Sequence, residues 1–100
     1  MTTFVVLRER GPAWDWNRDM RAQDGWEEHA AFMETLAEEG FVLLGGMLAD
    51  DRAMHVVEAE SEEDVRARFR DDPWPEEMLN VATVTQWEIL LKRGSDPDPS

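Results

Sequence analysis

His29 stands on the apolar stripe of an amphipathic segment, a position where an imidazole can be desolvated, oriented and put to use. Trp26, Ala30, Met33, Leu36 and Ala37 recur at the spacings of one helical face, and His29 lies three residues after Trp26 and four before Met33. A titratable ring therefore points inward and needs a partner, because an unsatisfied buried polar group costs about 1–3 kcal/mol. Asp72 is the candidate partner. It follows Val65 by seven residues and so continues the buried face of a second helical segment marked by Val65 and Phe69. Pro73 forces the chain out of the helix at that point, which leaves the Asp72 carboxylate at a core edge.

An imidazole with an unperturbed pKa of about 6.5 changes charge near neutrality. A carboxylate bonded to one ring nitrogen fixes the tautomer, raises the basicity of the other and stabilises the imidazolium formed on proton abstraction, whereas burial disfavours the charged ring. His29 is thus a candidate general base or acid and Asp72 its orienter. The competing interpretation is a histidine merely satisfied in the core. His55, between Met54 and Val56, has no comparable partner in the local sequence and is expected to be structural or exposed. Two histidines among scattered carboxylates form no metal-ligand spacing, and Glu28-His29 alone is no metal motif, so no metal and no organic cofactor are expected.

The connection Glu9 to Asp24 exceeds the usual loop length and carries Trp14 and Trp16, which suit a lid or binding loop better than a solvated linker. With Trp26 and Trp74 they would give apolar walls for a planar ligand, although core packing or subunit contact explains any single Trp as well. Arg18 and Arg21 could neutralise a ligand carboxylate, or serve only as surface ion pairs. Gly45-Gly46 allows close backbone approach at the end of a strand, and Gly46 is the candidate to border a ligand.

The elements that must position these groups follow from hydrophobic period and punctuation. Thr2 to Arg8 is a strand apolar on both faces. Gln23 to Glu39 is a helix stopped by Gly40. Phe41 to Met47 and Ala53 to Ala59 form a hairpin across an Asp-rich turn. Ser61-Glu62-Glu63-Asp64 has the form of an N-cap and opens the second helix. Val81 to Leu91 alternates as a last strand, and residues 94–100, with two Asp-Pro pairs, are expected to be a disordered tail behind a single domain at 1–93. The order β-α-β-β-α-β predicts an α+β, ferredoxin-like domain: a four-stranded antiparallel sheet with two helices on one face. Strands apolar on both sides need cover on the second face too, and a second copy of the chain is its simplest source.

Composition narrows the partners. In 100 residues, 42% hydrophobic, 10 basic side chains face 23 acidic ones, and the net charge of −13 would repel a phosphate backbone, so nucleic acid is excluded as an expected partner. The apolar runs are far shorter than the roughly 20 residues a membrane helix needs, and the first residues lack a secretory pattern, so a cytoplasmic protein is expected. With no cysteine, disulfides and thiol chemistry are excluded.

Gly11-Pro12-Ala13-Trp14, Trp26-Glu27-Glu28-His29-Ala30-Ala31-Phe32-Met33, Gly40-Phe41-Val42-Leu43-Leu44-Gly45-Gly46 and Asp71-Asp72-Pro73-Trp74, in this order and spacing, resemble the YCII-related domain family over nearly the whole chain to about Leu91. The resemblance implies a dimeric α+β barrel and an active site built on a histidine and an Asp-Pro aspartate, which match His29 and Asp72. Most members have no assigned reaction. Relatives in the wider superfamily act on aromatic-derived small molecules by proton transfer, isomerisation, dehalogenation or oxygenation. The expected function is therefore proton-transfer chemistry of a lyase, isomerase or dehalogenase type on a small organic, aromatic-sized substrate. A noncatalytic small-molecule binding or accessory dimer, or a purely structural dimer module, are the alternatives.

Overall fold

A computed structural model of the chain describes residues 1–93; the tail expected at 94–100 lies outside the described residues. Strand β1 (Thr2–Arg10) is followed by a long loop with one 3-10 turn (Met20–Ala22), helix α1 (Trp26–Glu38), strands β2 (Val42–Met47) and β3 (Ala53–Ala59), helix α2 (Glu62–Arg70) and strand β4 (Leu79–Gln86). The four strands form one sheet in the order β2-β3-β1-β4, with every neighbouring pair antiparallel. This is the β-α-β-β-α-β, ferredoxin-like arrangement of the α+β class.

β1 lies in the middle of the sheet, which explains why both of its faces are apolar. Phe4 and Val6 point toward the helices and join Leu36 of α1, Val57 of β3 and Val65 and Phe69 of α2 in the main core. α1 starts at Trp26, later than Gln23, because Gln23 is committed elsewhere: its side chain is buried and holds the loop together. Gly40, with φ 81°, ends the helix in the left-handed region that a side chain would disfavour. Ser61 caps α2, its Oγ accepting from the Asp64 backbone N–H at 3.2 Å.

The ladders are irregular at two points. Between β2 and β3, Val42 is opposite Val57 but Leu44 is opposite Val56, so an extra residue on β2 brings Gly45 rather than Leu44 opposite His55. Between β1 and β4 the register shifts at Leu7/Arg8. That second shift breaks the alternation expected for Val81 to Leu91: Val81 and Val84 both pack against the core. The last strand is also displaced from expectation, spanning Leu79–Gln86. β1 extends to Arg10 and offers partners as far back as Leu79, while at the other end the pairing stops at Phe4 opposite Gln86, with one further bond from the Trp87 N–H to the Thr3 carbonyl. Ile89, Leu90 and Leu91 are left exposed. Among the described residues no helix is long and apolar enough to cross a membrane.

The core depends on the α1 stripe reaching the sheet, and Leu36, 2% exposed, is its deepest side chain. Leu36→Ala is expected to lower unfolding free energy by about 2–5 kcal/mol, read as a lower urea midpoint with an unchanged slope.

Candidate active site

Asp72 is where the two helices, β1 and the segment after α2 meet. Its side chain is fully shielded from solvent and accepts from three directions. His29 on α1 donates from Nδ1–H to the two carboxylate oxygens at 2.8 and 2.9 Å. Arg8 on β1 donates from Nη1 to Oδ2 at 2.9 Å, and from Nη2 to the Leu79 carbonyl at 3.0 Å. The backbone N–H of Trp74 donates to Oδ1 at 2.8 Å. This last bond is an Asx turn that the Asp-Pro-Trp sequence favours: Pro73 has no N–H to offer, and the next donor along the chain closes on the aspartate two residues back. Burial pushes the Asp72 carboxyl up, but the hydrogen bonds from His29 and Trp74 and the charges of His29 and Arg8 outweigh it and hold the group below the ordinary carboxylate value. Burial also draws the Arg8 guanidinium down, against the pull of Asp72, yet a guanidinium stays charged in proteins.

An ionised Asp72 can only accept, so the neutral His29 ring carries its proton on Nδ1 and keeps a lone pair on Nε2. His29 lines a cavity of about 350 Å³. Nε2 makes no hydrogen bond among the described residues and is the ring nitrogen left unpaired. Trp74 stacks on the imidazole with centroids 4.0 Å apart and planes 11° from parallel, which fixes the ring from one side. Trp74 is itself pinned by an edge contact from Trp14 at 5.4 Å and by its indole N–H, which donates to the Asp24 carbonyl at 2.7 Å.

The expected site residues divide by location. Trp14, Trp26, Trp74 and Gly46 line the same cavity as His29, and Asp72 sits behind the imidazole. A Cβ at Gly46 would meet no atom within 4 Å, so the wall is open there. Trp16 is 62% exposed and does not line the cavity; it touches the lining residues Trp14, with ring centres 6.5 Å apart, and Arg10. Arg21 does not line this cavity; its guanidinium lies 5.8 Å from the Trp26 ring centre. Arg18 is spent on the loop, bonding Asp15, Asp24 and the Ala22 carbonyl. Together with buried Gln23, which bonds the Asp15 and Arg18 carbonyls and the Asp15 N–H, it gives the long loop a shape of its own.

Three further residues join the site without having been expected there. Arg8 was legible in principle, since Phe4, Val6 and Arg8 share one face of β1. Arg10 lines the cavity with its guanidinium 4.3 Å from the Trp14 ring centre and 5.2 Å from that of Trp16. His55 is 8% exposed and borders the cavity from β3. The alternation Ala53, His55, Val57, Ala59 is the signal that places it on the inner face. Burial, followed by the charges of Arg8 and His29 and opposed by Asp72, lowers its pKa to about 4. Among the described residues, no three His, Asp or Glu side chains come together as a metal site.

Fold and pocket define a small α+β domain with a histidine-aspartate pair opening onto an apolar cavity. The YCII-related domain model matches residues 2–88, and the chain belongs to that family. No curated protein and no solved structure matches it.

Because the folded-state pKa of His55 lies below the value of about 6.5 expected for an unfolded chain, the unfolded state binds the extra proton between those two pH values. This group therefore stabilises the fold fully above about pH 6.5 and progressively less as pH falls toward 4. Urea unfolding at pH 7 and pH 4.5 is expected to show a loss about 2–3 kcal/mol larger in the unmodified protein than in His55→Gln.

Proposed function

We propose that the protein is a cytoplasmic homodimeric enzyme that moves a proton on a small, largely apolar organic substrate, with His29 as general base and acid and Asp72 as the group that orients it. The observation that carries this proposal is the bond from His29 Nδ1 to a carboxylate kept ionised by Arg8 and Trp74, with the opposite ring nitrogen left for a ligand in a cavity walled by Trp14, Trp26 and Trp74. A volume of about 350 Å³ accommodates a ligand of one aromatic ring with substituents. When Nε2 takes a proton the ring becomes a cation, and the buried carboxylate 2.8 Å from Nδ1 is positioned to stabilise it without rearrangement.

The homodimer is supported by the sheet face turned away from the helices. Val5, Leu7 and Met54, each half-buried, occupy it by strand alternation together with Val56, which is already buried, and Leu44, 65% exposed, lies opposite Val56. Such a face is suited to a second sheet. Sedimentation equilibrium at micromolar concentration is expected to give twice the chain mass of 11.6 kDa, and Leu44→Lys to shift the protein toward monomer. A monomer in the unmodified protein would remove the subunit part of the proposal.

The catalytic part is tested by incubating small aryl ketones and aromatic carbonyl acids with the protein in heavy water and following deuterium incorporation by NMR. Incorporation is expected with the unmodified protein and is expected to fall at least about 100-fold in His29→Asn, whose folding is checked by circular dichroism. Compounds that raise the melting temperature but gain no deuterium would instead indicate a binding module.

A further inference from the structure

His55 occupies the wall of the same cavity, and its two ring nitrogens are treated differently by the fold. Nδ1 is buried and has no hydrogen-bond partner among the described residues. The Cδ2–Nε2 edge lies over Gly45, where a Cβ would come 2.4 Å from Cδ2 and 3.2 Å from Nε2, and both residues line the cavity. The extra residue in β2 is what brings a glycine to this position in place of Leu44. Space for the ring over the cavity wall is thus built by a register shift and a missing side chain together.

A neutral imidazole has one N–H to place. Put on Nδ1, it would bury a donor with nothing to accept it; put on Nε2, it leaves only a lone pair unpaired inside and presents a donor to the cavity. Burial first, and then the charge of Arg8, disfavour a positive charge on His55 and keep the ring in that neutral form, against the weaker counter-pull of Asp72. The same cavity then holds two imidazoles of opposite polarity, His29 offering an acceptor at Nε2 and His55 offering a donor at Nε2.

We infer that His55 is the hydrogen-bond donor for a substrate oxygen, and that the ligand class is a small carbonyl compound bearing an acidic C–H next to its C=O. This rests on the base role proposed for His29. His29 Nε2 takes the proton from the carbon beside the carbonyl, and the C–H electron pair forms the C=C bond. The C=O π pair moves onto oxygen, whose developing negative charge is met by the His55 N–H. Return of the proton from His29 to the same carbon gives exchange, and return to another carbon of a conjugated system gives isomerisation. Either course balances without a further reactant. Gly45 is a positioning residue, since any side chain there displaces the His55 ring.

The test uses acetophenone and its near isostere α-methylstyrene, which replaces C=O by C=CH2, with the full chain labelled with nitrogen-15. Long-range proton–nitrogen spectra are expected to show His55 as the neutral Nε2–H tautomer from pH 5 to 8, and its signals are expected to move with acetophenone and not with α-methylstyrene. Binding followed by tryptophan fluorescence is expected to favour the ketone by about tenfold. That preference is expected to survive in His55→Gln, whose amide supplies a donor near the same position, and to disappear in His55→Phe. An Nδ1–H tautomer overturns the inference. So does failure of the ketone to bind, or a ketone preference that is unchanged in His55→Phe. None of these outcomes touches the role of His29, which is decided by deuterium incorporation and its loss in His29→Asn alone.

Discussion

A carboxylate with no solvent contact is the constraint from which this fold takes its working form. Removing an ion from water costs several kcal/mol, and Asp72 is tolerable in the interior only because charge and hydrogen bonds meet it from every side. Those partners come from β1, from α1 and from the turn after α2, separated from Asp72 in sequence by 64, 43 and 2 residues. The chain must therefore be folded before the anion is satisfied, and any one partner removed leaves the others facing an uncompensated charge. Apolar residues of equal volume would hold the same elements together at no greater cost in stability. What they could not supply is a histidine locked in one tautomer.

Arg8 and Trp74 belong to this arrangement as fully as His29 does. Arg8 adds its positive charge to the hydrogen bonds from His29 and Trp74 that hold Asp72 an acceptor, and its second nitrogen bonds the Leu79 carbonyl at the start of β4, so the sheet and the site share one side chain. Trp74 acts three ways. Its backbone N–H holds the carboxylate, its ring lies flat on His29, and its indole N–H reaches Asp24, just ahead of the Gly25 cap of α1. The loop from Gly11 to Asp24 is tied to the same segment by backbone bonds from Gly11 to Met78 and from Ala13 to Glu77. A loop of this length keeps its shape because it closes on the segment that follows Asp72 and on the start of the helix that carries His29.

How much of this is legible in the chain depends on whether the determining contact is local. The helix stripe, the Gly40 stop, the Ser61 cap and the position of Asp72 at a helix end are properties of a few consecutive residues, and they are seen in the structure as sequence periodicity places them. The limits of β4 and the two register shifts are not local: they belong to the pairing with β1 and β3, strands distant in sequence. Gly45 shows the difference. Its tolerance for close approach is visible in sequence, but that the approaching group is His55 depends on a one-residue slip between two strands. Arg8 and His55 are hidden for another reason. Both sit at inward positions of apolar strands, where alternation gives the direction of a polar side chain but not the partner or cavity that it meets.

Charge outside and inside the cavity bears on what can enter. The surface carries a net charge of −13, which repels anions at long range more than it repels neutral molecules. Within the cavity and behind its wall that acidic excess is gone: the guanidinium of Arg10 and the imidazoles of His29 and His55 line it, Arg8 stands behind, and Asp72 is spent on neutralising Arg8 and orienting His29. Glu34 is the acidic residue on the lining. In the reaction proposed above, a neutral carbonyl compound would cross the outer field without penalty, and the negative charge on its oxygen would develop only inside, as His29 takes the proton. A charge that forms only inside would meet the His55 donor proposed above without having crossed the outer field.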